Sequence, residues 1–469
     1  MSKNEIGVII DKGPQNWQIA QQNARGTADI SLSGRWLTQD PHKTAAVMAR
    51  VVWEHDQHAV TLALDWQAAA MEPGNKWSIV LRDIPRGGLY RIETCLQLDG
   101  SPVAPVEWAH RGDMIHFLGV GDVWVIAGQS NAAGYGRSPV TDGPELGVHM
   151  FHAGGQWRLA AHPLDDATGT RYPDNREGAN PSHSPFLAFA RKLKAALGYP
   201  IGLIPTALGG SPLSSWLRKA DGRLFANMLS YLRDAGSGCR GMLWYQGCSD
   251  TGPDDSKTYL ERFTDFITDL RQALKSPSFP VITAQLNRYV GVPYGDACHA
   301  GWEAIREAQR QAARKMPGVY AIATLDLGLS DGIHNSSAGN LVIGERMADV
   351  ALGALHGRGV KYLHPDLAEA RRVGSKTIEL VFDNVDTRLQ YENNIPEQFP
   401  FAVRDAAGDV PVAAWSIPDK NVFRIELGRA LQQNATVTGA PTACPPPLVP
   451  VDISGYRPML AFTAPVLQT

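Results

Sequence analysis

The first stretch of the chain alternates apolar and polar residues over short distances. In "TADISLSG", residues 27–34, every second side chain is apolar, as in a half-buried strand. Similar runs follow, and turn signals such as Pro73-Gly74 separate them. Short strands at this spacing are typical of a β-sandwich. We therefore predict an N-terminal β-sandwich-like domain over residues 1–118.

The second stretch, residues 119–357, alternates short apolar runs with helix-length amphipathic segments. There are five such runs, and we predict that they are the strands of one sheet: "DVWVIA", "IGLIPTA", "GMLWYQ", "PVITAQL" and "VYAIATL". In one amphipathic segment Tyr259, Phe263 and Phe266 recur three and four residues apart, which makes one apolar helix face. Alternating strands and helices imply a parallel sheet that is covered on both sides. This region is therefore predicted to be a three-layer α/β/α domain.

The third stretch, residues 358–469, returns to strand-like runs such as "KTIELVFDNV" and "NVFRIEL". Its segment "CPPPLVPVD" cannot be helical, because proline removes the backbone donor and clashes with the preceding turn. We predict a second β-sandwich-like domain here. The whole chain then has an α/β fold, with a central parallel-sheet domain between two β domains.

Composition excludes several classes of function. The 469 residues carry a net charge of -3 with acids and bases interspersed, so we expect no nucleic-acid partner. No run approaches the roughly 18 apolar residues of a membrane span, so no membrane partner is expected either. Five scattered cysteines without a C-x-x-C pair, and no visible secretory signal, favour a cytoplasmic protein. The histidines form no convincing metal set, and we expect no cofactor.

Polar and glycine-rich segments follow the apolar runs of the central region. In an open α/β sheet, ligands bind beyond the carboxyl ends of the strands. One such segment can be explained as an ordinary turn, but several in order are harder to explain in that way. The segments that carry the chemistry are Gly128-Gln129-Ser130-Asn131, Gly209-Gly210, Gln246-Gly247 and Asp331-Gly332-Ile333-His334.

These segments contain the parts of a serine esterase. A serine hydroxyl is a weak nucleophile and needs a base within hydrogen-bond reach, which makes Ser130 the nucleophile candidate. Histidine serves near neutral pH, because its unperturbed pKa is about 6.5, and it needs an acceptor that fixes its tautomer. Asp331 and His334 are three residues apart, so one tight turn can bring the carboxylate to the imidazole.

The oxyanion of the reaction needs hydrogen-bond donors as well. Gly209 and Gly210 let backbone N–H groups approach closely, and Gln246 offers an amide. The hydrolase elbow G-x-S-x-G does not fit, because Ala132 occupies its last position. The α/β-hydrolase fold is therefore not expected, although the type of reaction is the same.

The order and spacing of these blocks resemble the SGNH (GDSL-like) hydrolase superfamily, in its sialate O-acetylesterase branch of carbohydrate esterases. The resemblance covers about residues 120–350 and includes Arg306-Glu307-Ala308-Gln309. It implies that Ser130 attacks an acetyl ester and that the Asp-x-x-His pair supplies acid and base. It also implies an oxyanion hole, built from the Ser130 N–H, Gly209 or Gly210, and Gln246.

One position departs from the family pattern. The third block of the family usually reads Trp-x-Gln-Gly-Glu-Ser-Asp, whereas this chain has Cys248 at the acidic position. Cysteine is a small soft hydrophobe and cannot accept comparable hydrogen bonds. Two interpretations stay open, a buried filler and a catalytic thiol, and Asp250 is available as structural compensation.

Five residues are candidates for substrate contact. Trp216 and Tyr245 are either a wall on which sugars stack or core aromatics, and Arg306 either braces the site with Gln309 or lies on the surface. A polar loop, residues 165–183, either covers the site with Arg171, Tyr172 and Arg176 or is a solvated insertion. The candidates for substrate contact are Gln129, Asn131, Trp216, Tyr245 and Arg306.

The function expected from this sequence is that of a carboxylic ester hydrolase, a serine carbohydrate O-acetylesterase that works through an acetyl-enzyme. The expected partner is an acetylated carbohydrate. A sialic acid would need an arginine near Ser130, and a xylan-type plant polysaccharide would need an open aromatic cleft. Two further alternatives are a non-catalytic glycan-binding protein and an esterase for lipids or thioesters.

Overall fold

The computed structural model describes residues 6–101, 111–178, 180–236, 238–291, 295–393, 395 and 398–468. Over these residues the chain has a mixed α/β fold with several sheets and six α-helices, which confirms the predicted α/β class. Within the same residues, none of the helices combines the length and the apolarity needed to cross a membrane.

The N-terminal region consists mainly of antiparallel strands. A sheet of order β1-β3-β7-β6 and the strands β4, β5, β8 and β9 enclose apolar side chains such as Val51, Trp77 and Ile92. The predicted alternation is present in β3, where Ala28, Ile30 and Leu32 are buried. The strands β1 to β9 are Gly7–Lys12, Ile19–Gln21, Thr27–Leu37, Ala45–Trp53, Gln67–Ala68, Ala70–Glu72, Lys76–Pro85, Gly87–Leu98 and Arg111–Gly128.

The strand β9 crosses the predicted domain boundary at residues 118/119. Its first half pairs antiparallel with β8, and its second half is a central strand of the next sheet. Position 121 of this strand requires a glycine, because a Cβ there would lie 1.9 Å from the Pro200 carbonyl oxygen. This strand therefore joins the N-terminal strands directly to the central sheet.

The central sheet has the order β11-β10-β12-β9-β13-β14-β15, with all neighbours parallel except β10 and β11. The five predicted apolar runs form β9, β12, β13, β14 and β15, and the hairpin of β10 and β11 was not predicted. Helix α2 packs against α6, and α4 packs against α5. The strands β10 to β15 are Val148–His152, Gln156–Leu159, Ile201–Pro205, Gly241–Tyr245, Val281–Ala284 and Val319–Ile322.

The helices α1 to α6 are Ser130–Ala133, Phe186–Leu197, Arg223–Asp234, Pro253–Ala273, Asp296–Lys315 and Ser337–Val350. A π-helical segment, Ala351–Leu355, continues α6. Short 3-10 helices are Leu62–Leu64, Pro173–Asn175, Leu213–Trp216 and Cys248–Asp250. In α4, Tyr259, Phe263 and Phe266 are buried, as the apolar face predicts.

The C-terminal region again consists of strands, in sheets of order β21-β22-β17-β16-β27, β20-β19-β23-β26 and β18-β24-β25. Phe382, Phe423 and Phe462 lie in its core. Both flanking regions are thus built from strands, while their sandwich form, the three-layer order and the domain boundaries stay predictions. The strands β16 to β27 are Asp366–Gly374, Thr377–Asp383, Leu389–Gln390, Phe401–Asp405, Gly408–Asp409, Val412–Asp419, Val422–Leu427, Thr436–Gly439, Val451–Asp452, Arg457–Pro458, Phe462–Pro465 and Leu467–Gln468.

Candidate active site

Ser130 lies at the carboxyl end of β9, where the strand turns into the short helix α1. Gly128 makes this turn with a φ of 133°, and a Cβ at this position would lie 2.3 Å from the Tyr245 carbonyl oxygen. A glycine is therefore needed just before the candidate nucleophile. Ser130 itself is half-buried, as expected of a group that must meet a substrate.

Asp331 and His334 form the predicted pair in one tight turn. The Asp331 carboxylate accepts from His334 Nδ1 at 2.7 Å, and from the backbone N–H groups of Ile333 and His334 at 2.8 Å. Burial works to raise the pKa of Asp331, but these hydrogen bonds outweigh it and hold the pKa below its ordinary value. An ionised carboxylate can only accept, so the ring carries its proton on Nδ1 and leaves Nε2 as a base.

Asn131 joins the serine segment to the histidine segment. Its Oδ1 accepts from the backbone N–H of Asn335 at 3.0 Å and from the Asn335 amide at 3.1 Å. Its Nδ2 donates to the Ile333 carbonyl at 3.2 Å. The residue after Ser130 is therefore bonded to both neighbours of His334. Asn131 is 3% exposed, and these bonds give it a positioning role in place of the predicted substrate contact.

Buried polar side chains connect the ends of the strands, and we call this set the floor of the site. Their hydrogen bonds run between segments that are far apart in the sequence, so each strand end fixes its neighbours. The floor consists of Gln129, Asn131, Tyr245, Gln246, Asp250, Gln309 and Asn335, all of which are buried.

Gln246 was predicted to donate to the oxyanion, and in this structure its amide is bonded within the protein. Its amide nitrogen donates to the Ser211 carbonyl at 3.1 Å and to the Asp250 carboxylate at 2.6 Å. An amide has two N–H donors, and both are committed to these acceptors. Its Oε1 accepts from the Tyr259 hydroxyl at 2.9 Å. Gln246 is thus a bracing residue of the floor.

Gln129 was predicted to contact the substrate, but its side chain is 3% exposed and braces the floor as well. Its Oε1 accepts from the backbone N–H groups of Gly247 at 3.0 Å and Ser249 at 3.3 Å. These bonds hold the loop after β13 against the loop after β9. The amide is used inside the protein, and the predicted contact is wrong.

Trp216 and Tyr245 are core aromatics, so the prediction of a sugar-stacking wall is wrong for both. Trp216 is fully buried and packs edge-on against Trp244 and Phe266. The Tyr245 hydroxyl accepts from the Asn335 amide at 3.1 Å. Their neighbours in the fold leave neither ring a face for a sugar.

Arg306 is also buried, and its guanidinium points toward the C-terminal region. It donates to the carbonyls of Asn287 at 2.8 Å, Thr442 at 2.6 Å and Ala443 at 3.1 Å. Burial lowers its pKa to about 10. The side chain therefore links the loop after β14 to the C-terminal region, and the predicted substrate contact is wrong.

Cys248 does not have the environment of a catalytic thiol. Burial raises the pKa of its thiol to about 12, so the nucleophilic thiolate is disfavoured. Asp250, two residues further on, is the carboxylate that makes polar contacts in this segment. Its carboxylate accepts from Gln246, from the Leu213 N–H at 2.9 Å and from Arg262 at 3.0 Å.

The loop of residues 165–178 and 180–183 reaches the site at Gly209, and we call it the roof. Glu177 in the roof accepts from the backbone N–H of Gly209 at 2.7 Å. Of the predicted roof contacts, Arg171 and Arg176 are exposed. Tyr172 is buried against the Tyr231 ring, which removes it from the surface. Gly210, the next residue after Gly209, is exposed and has a φ of 69°, in the left-handed region that favours glycine.

Two histidines at the ends of the roof meet at one carboxylate. The Asp142 carboxylate accepts from His162 Nε2 at 2.9 Å and from His183 Nε2 at 3.1 Å. It also accepts from Arg191 at 3.0 Å. These ligand-type atoms lie within 4.8 Å of one another, as in a metal site. However, the Ser184 N–H donates to His162 Nδ1 at 3.4 Å. This places the ring proton on Nε2, so the cluster is a hydrogen-bonded clamp.

Sequence reasoning missed Glu177 and this clamp. The sequence shows a long polar loop here. Its charged residues are close together, and no sequence pattern indicates which of them contacts the site. The signal that was available is the pair of histidines that bracket the loop, His162 before it and His183 at its end.

Several solved structures are similar to this chain. XAC1771, a carbohydrate acetylesterase from Xanthomonas citri, has a TM-score of 0.68 at 19% identity and covers 97% of this chain and 99% of its own. This shows a shared fold over nearly the whole chain. A protein of Arabidopsis thaliana matches with TM-score 0.43 and 26% identity, over 50% of this chain and 98% of its own. NanS matches with TM-score 0.38 and 17% identity, over 50% of this chain and 98% of its own. Curated protein sequences gave no significant match.

A family model covers the region that holds the site. Residues 120–353 match the model described as carbohydrate esterase, sialic acid-specific acetylesterase. This span begins within β9 and includes Ser130, Gly209, Asp331 and His334. The central region of this chain therefore belongs to that carbohydrate esterase family, and the protein is a carboxylic ester hydrolase.

Proposed function

We propose that the protein is a serine carbohydrate O-acetylesterase that works through an acetyl-enzyme. The observation that carries the proposal is the connection of Ser130 to the Asp331–His334 pair through Asn131. The candidate nucleophile and the oriented base both lie within the residues that match the carbohydrate esterase family.

In the proposed reaction, Ser130 Oγ forms a bond to the acetyl carbonyl carbon while its proton passes to His334 Nε2. The carbonyl electron pair moves to the oxygen, which becomes the oxyanion. When the intermediate collapses, the bond to the sugar oxygen breaks and that oxygen takes the proton from His334. Water then attacks the acetyl-enzyme by the same route and releases acetate. Asp331 holds the imidazole and stabilises its charged form.

For the substrate we propose an O-acetylated sialic acid, as the matching family description suggests. Its carboxylate needs a cation near the nucleophile, and Arg137 supplies one. This exposed guanidinium lies 5.6 Å from the centre of the Tyr135 ring, which stacks on His334. The neutral alternative is an acetylated plant oligosaccharide of the xylan type.

The mechanism is tested with 4-nitrophenyl acetate and the variant Ser130→Ala. We expect turnover to be lost, because the substitution removes the hydroxyl that forms the acetyl-enzyme in the proposed reaction. A mass increase of one acetyl group on the peptide that carries Ser130, trapped after rapid acid quenching, would identify the intermediate. Normal turnover by Ser130→Ala would refute the serine mechanism. Glycan binding without any ester turnover would favour a binding protein.

The substrate class is tested with acetate release from acetylated sialic acids and from acetylated xylo-oligosaccharides. Arg137→Ala should raise KM for the sialic acids and leave KM for 4-nitrophenyl acetate unchanged. If Arg137→Ala changes neither, and the wild type prefers xylo-oligosaccharides, the neutral alternative holds. Arg171→Ala is the matched control, because it removes an exposed arginine of the roof.

A further inference from the structure

The candidate base lies close to the surface of the protein. The side chain of Asp331 is 50% exposed and that of His334 is 18% exposed. Solvent competes for both partners of an exposed pair, so the contact between them holds the ring less firmly than a buried contact would. The hydrogen bond at Nδ1 also fixes only one edge of the imidazole, and the ring can still tilt about that contact. A base that must meet Ser130 therefore needs a second constraint on its ring.

The ring of Tyr135 lies against this imidazole. The two rings are stacked, with centroids 4.7 Å apart and an interplanar angle of 22°. Tyr135 is half-buried and follows Ser130 by only five residues. A nearly parallel ring covers one face of the imidazole and opposes its tilting, whereas Asp331 fixes its edge. The two contacts together define the plane and the direction of the base.

The backbone on both sides of Tyr135 passes through narrow gaps. Gly134 has a φ of 103°, and a Cβ at this position would lie 2.7 Å from Ser184 Cβ. A Cβ on Gly136 would lie 3.0 Å from Ser337 Cα. Glycine is therefore needed before and after the tyrosine. With a larger residue at either position, this segment could not keep its place.

Hydrogen bonds hold the same segment against the end of the roof. The Gly136 N–H donates to the His183 carbonyl at 3.0 Å, and the His183 N–H donates to the Gly136 carbonyl at 3.3 Å. His183 is one of the residues that meet at Asp142. The clamp at the end of the roof is therefore connected to the segment that carries Tyr135.

The segment is also bonded to the turn that carries the base. The Arg137 N–H donates to Ser330 Oγ at 2.9 Å, and the Ser330 N–H donates to the His334 carbonyl at 2.8 Å. The backbone of the tyrosine segment and the backbone of the histidine segment are thus joined through Ser330. The stacked rings lie on two segments that are fixed to each other.

We propose that Tyr135 is a positioning residue whose ring holds the imidazole of His334 in the plane from which Nε2 meets Ser130 Oγ. The inference rests on the proposed serine mechanism and adds a residue to it. Tyr135 acts through His334, and the ring carries this role because the ring makes the stacking contact. The hydroxyl is not required for it.

The decisive variant is Tyr135→Leu, which removes the ring and keeps an apolar side chain. A misplacement of about 1 Å between catalytic groups can cost about 100-fold, and we expect kcat for 4-nitrophenyl acetate to fall by about this factor with KM little changed. This substrate has no sugar, so the loss reports on the base. Tyr135→Phe keeps the ring, and its kcat should stay within about threefold of the wild type.

Tyr320→Leu is the matched control. Tyr320 is also half-buried and in contact with another ring, that of Tyr362, with centroids 6.3 Å apart. It is the second residue of β15, whereas the candidate site lies at the carboxyl ends of the strands. Its kcat should stay within about twofold of the wild type. Urea unfolding of all three variants identifies any that has lost its fold.

Proton NMR of the histidine rings separates positioning from a general loss of stability. A stacked aromatic ring shifts the imidazole C–H signals upfield through its ring current. The signals of His334 are assigned by their absence from the spectrum of His334→Gln. They should lie upfield in the wild type and in Tyr135→Phe, and they should move downfield in Tyr135→Leu under conditions in which all variants are folded.

The failure of this inference is distinct from the failure of the proposed function. If Tyr135→Leu keeps kcat within about threefold of the wild type, or if Tyr135→Phe loses as much as Tyr135→Leu, the ring does not position the base. Unmoved His334 signals in Tyr135→Leu would overturn the inference as well. In each of these cases, loss of turnover in Ser130→Ala leaves the serine mechanism standing. If Ser130→Ala turns over normally, the serine mechanism fails and this inference fails with it.

Discussion

The floor and the roof of the site are both polar, but they are held in different ways. In the floor, Gln246, Asp250 and Asn335 are at most 1% exposed, and their polar atoms are bonded to one another and to the backbone of neighbouring strand ends. The roof carries exposed charges, is fixed at its ends by Asp142, and reaches the site through the Glu177 contact with Gly209.

This difference in burial and hydrogen bonding distinguishes residues that hold the catalytic groups in place from residues that can react with or make way for a ligand. A buried polar group that has all its partners is costly to disturb, so the floor can hold Ser130 and His334 in one geometry. A half-exposed group with a replaceable contact can yield to a ligand at small cost. By this criterion the half-buried Ser130 and His334 are suited to the role that we propose for them at the substrate, and the buried residues of the floor are suited to the role of scaffold.

The largest effect is expected from Asp250→Ala in the floor. The substitution leaves Arg262 and Gln246 without their acceptor in a buried place, and breaking a buried ion pair typically costs about 3–5 kcal/mol. We expect a loss of stability of this size in urea unfolding. Asp255→Ala is the control, because it removes an exposed carboxylate from the same Arg262 and should cost less than about 1 kcal/mol. Equal losses in the two variants would show that the floor is no more rigid than the surface.

The second prediction concerns geometry. Asn131→Ala removes three hydrogen bonds between the serine and histidine segments. A displacement of about 1 Å between catalytic groups can cost about 100-fold, and we expect kcat for 4-nitrophenyl acetate to fall by about that factor with KM little changed. Ser249→Ala, at an exposed position beside the floor, should keep nearly full activity. Wild-type kcat in Asn131→Ala would refute the positioning role.

The parts of the site that the sequence predicts best are those whose chemistry is local. Asp331 and His334 share one turn, and Ser130 follows an apolar run that forms β9. The direction of the other side chains depends on contacts that are distant in sequence. Gln246 binds Ser211, 35 residues earlier, and Arg306 binds carbonyls more than 130 residues later. Residue type alone cannot show that such groups turn away from the substrate.

The same reasoning applies to the fold. The five parallel strands were predicted because they are continuous apolar runs. The hairpin of β10 and β11 was missed, because His149 and His152 interrupt its apolar pattern although both are buried. The predicted boundary at residues 118/119 falls within β9, which continues through Gly119 and Gly121. Close contacts with Pro200 explain these glycines, and such contacts cannot be seen in the sequence.

The third prediction tests the roof. In Asp142→Asn, His162, His183 and Arg191 lose a charged acceptor. Hydrogen bonds to charged groups contribute about 1.5–3 kcal/mol each, but partial exposure and relaxation reduce the loss, and we expect about 2 kcal/mol. Protease cleavage within residues 165–183 should speed up more than global unfolding does. Asp166→Asn is the control, since its contact with His152 is 3.4 Å long and partly exposed. Unchanged cleavage in Asp142→Asn would show that the clamp does not hold the roof.

The smallest effect is a pH dependence of opposite sign in the roof and the floor. Burial lowers the pKa of His162, so the folded roof binds that proton more weakly than the unfolded chain, and this contribution to stability is lost as pH falls below about 6.5. Burial raises the pKa of Asp250, so the folded floor takes up its proton more readily, and its contribution grows as pH falls.

Hydrogen-exchange protection, corrected for intrinsic rates, should therefore decrease in residues 165–183 between pH 7.5 and about pH 5.5, without a parallel decrease in residues 245–250. His162→Gln keeps a donor toward Asp142 but does not titrate, and it should remove the pH dependence of the roof. A parallel change in both segments of the wild type would contradict the assignment of separate electrostatic environments.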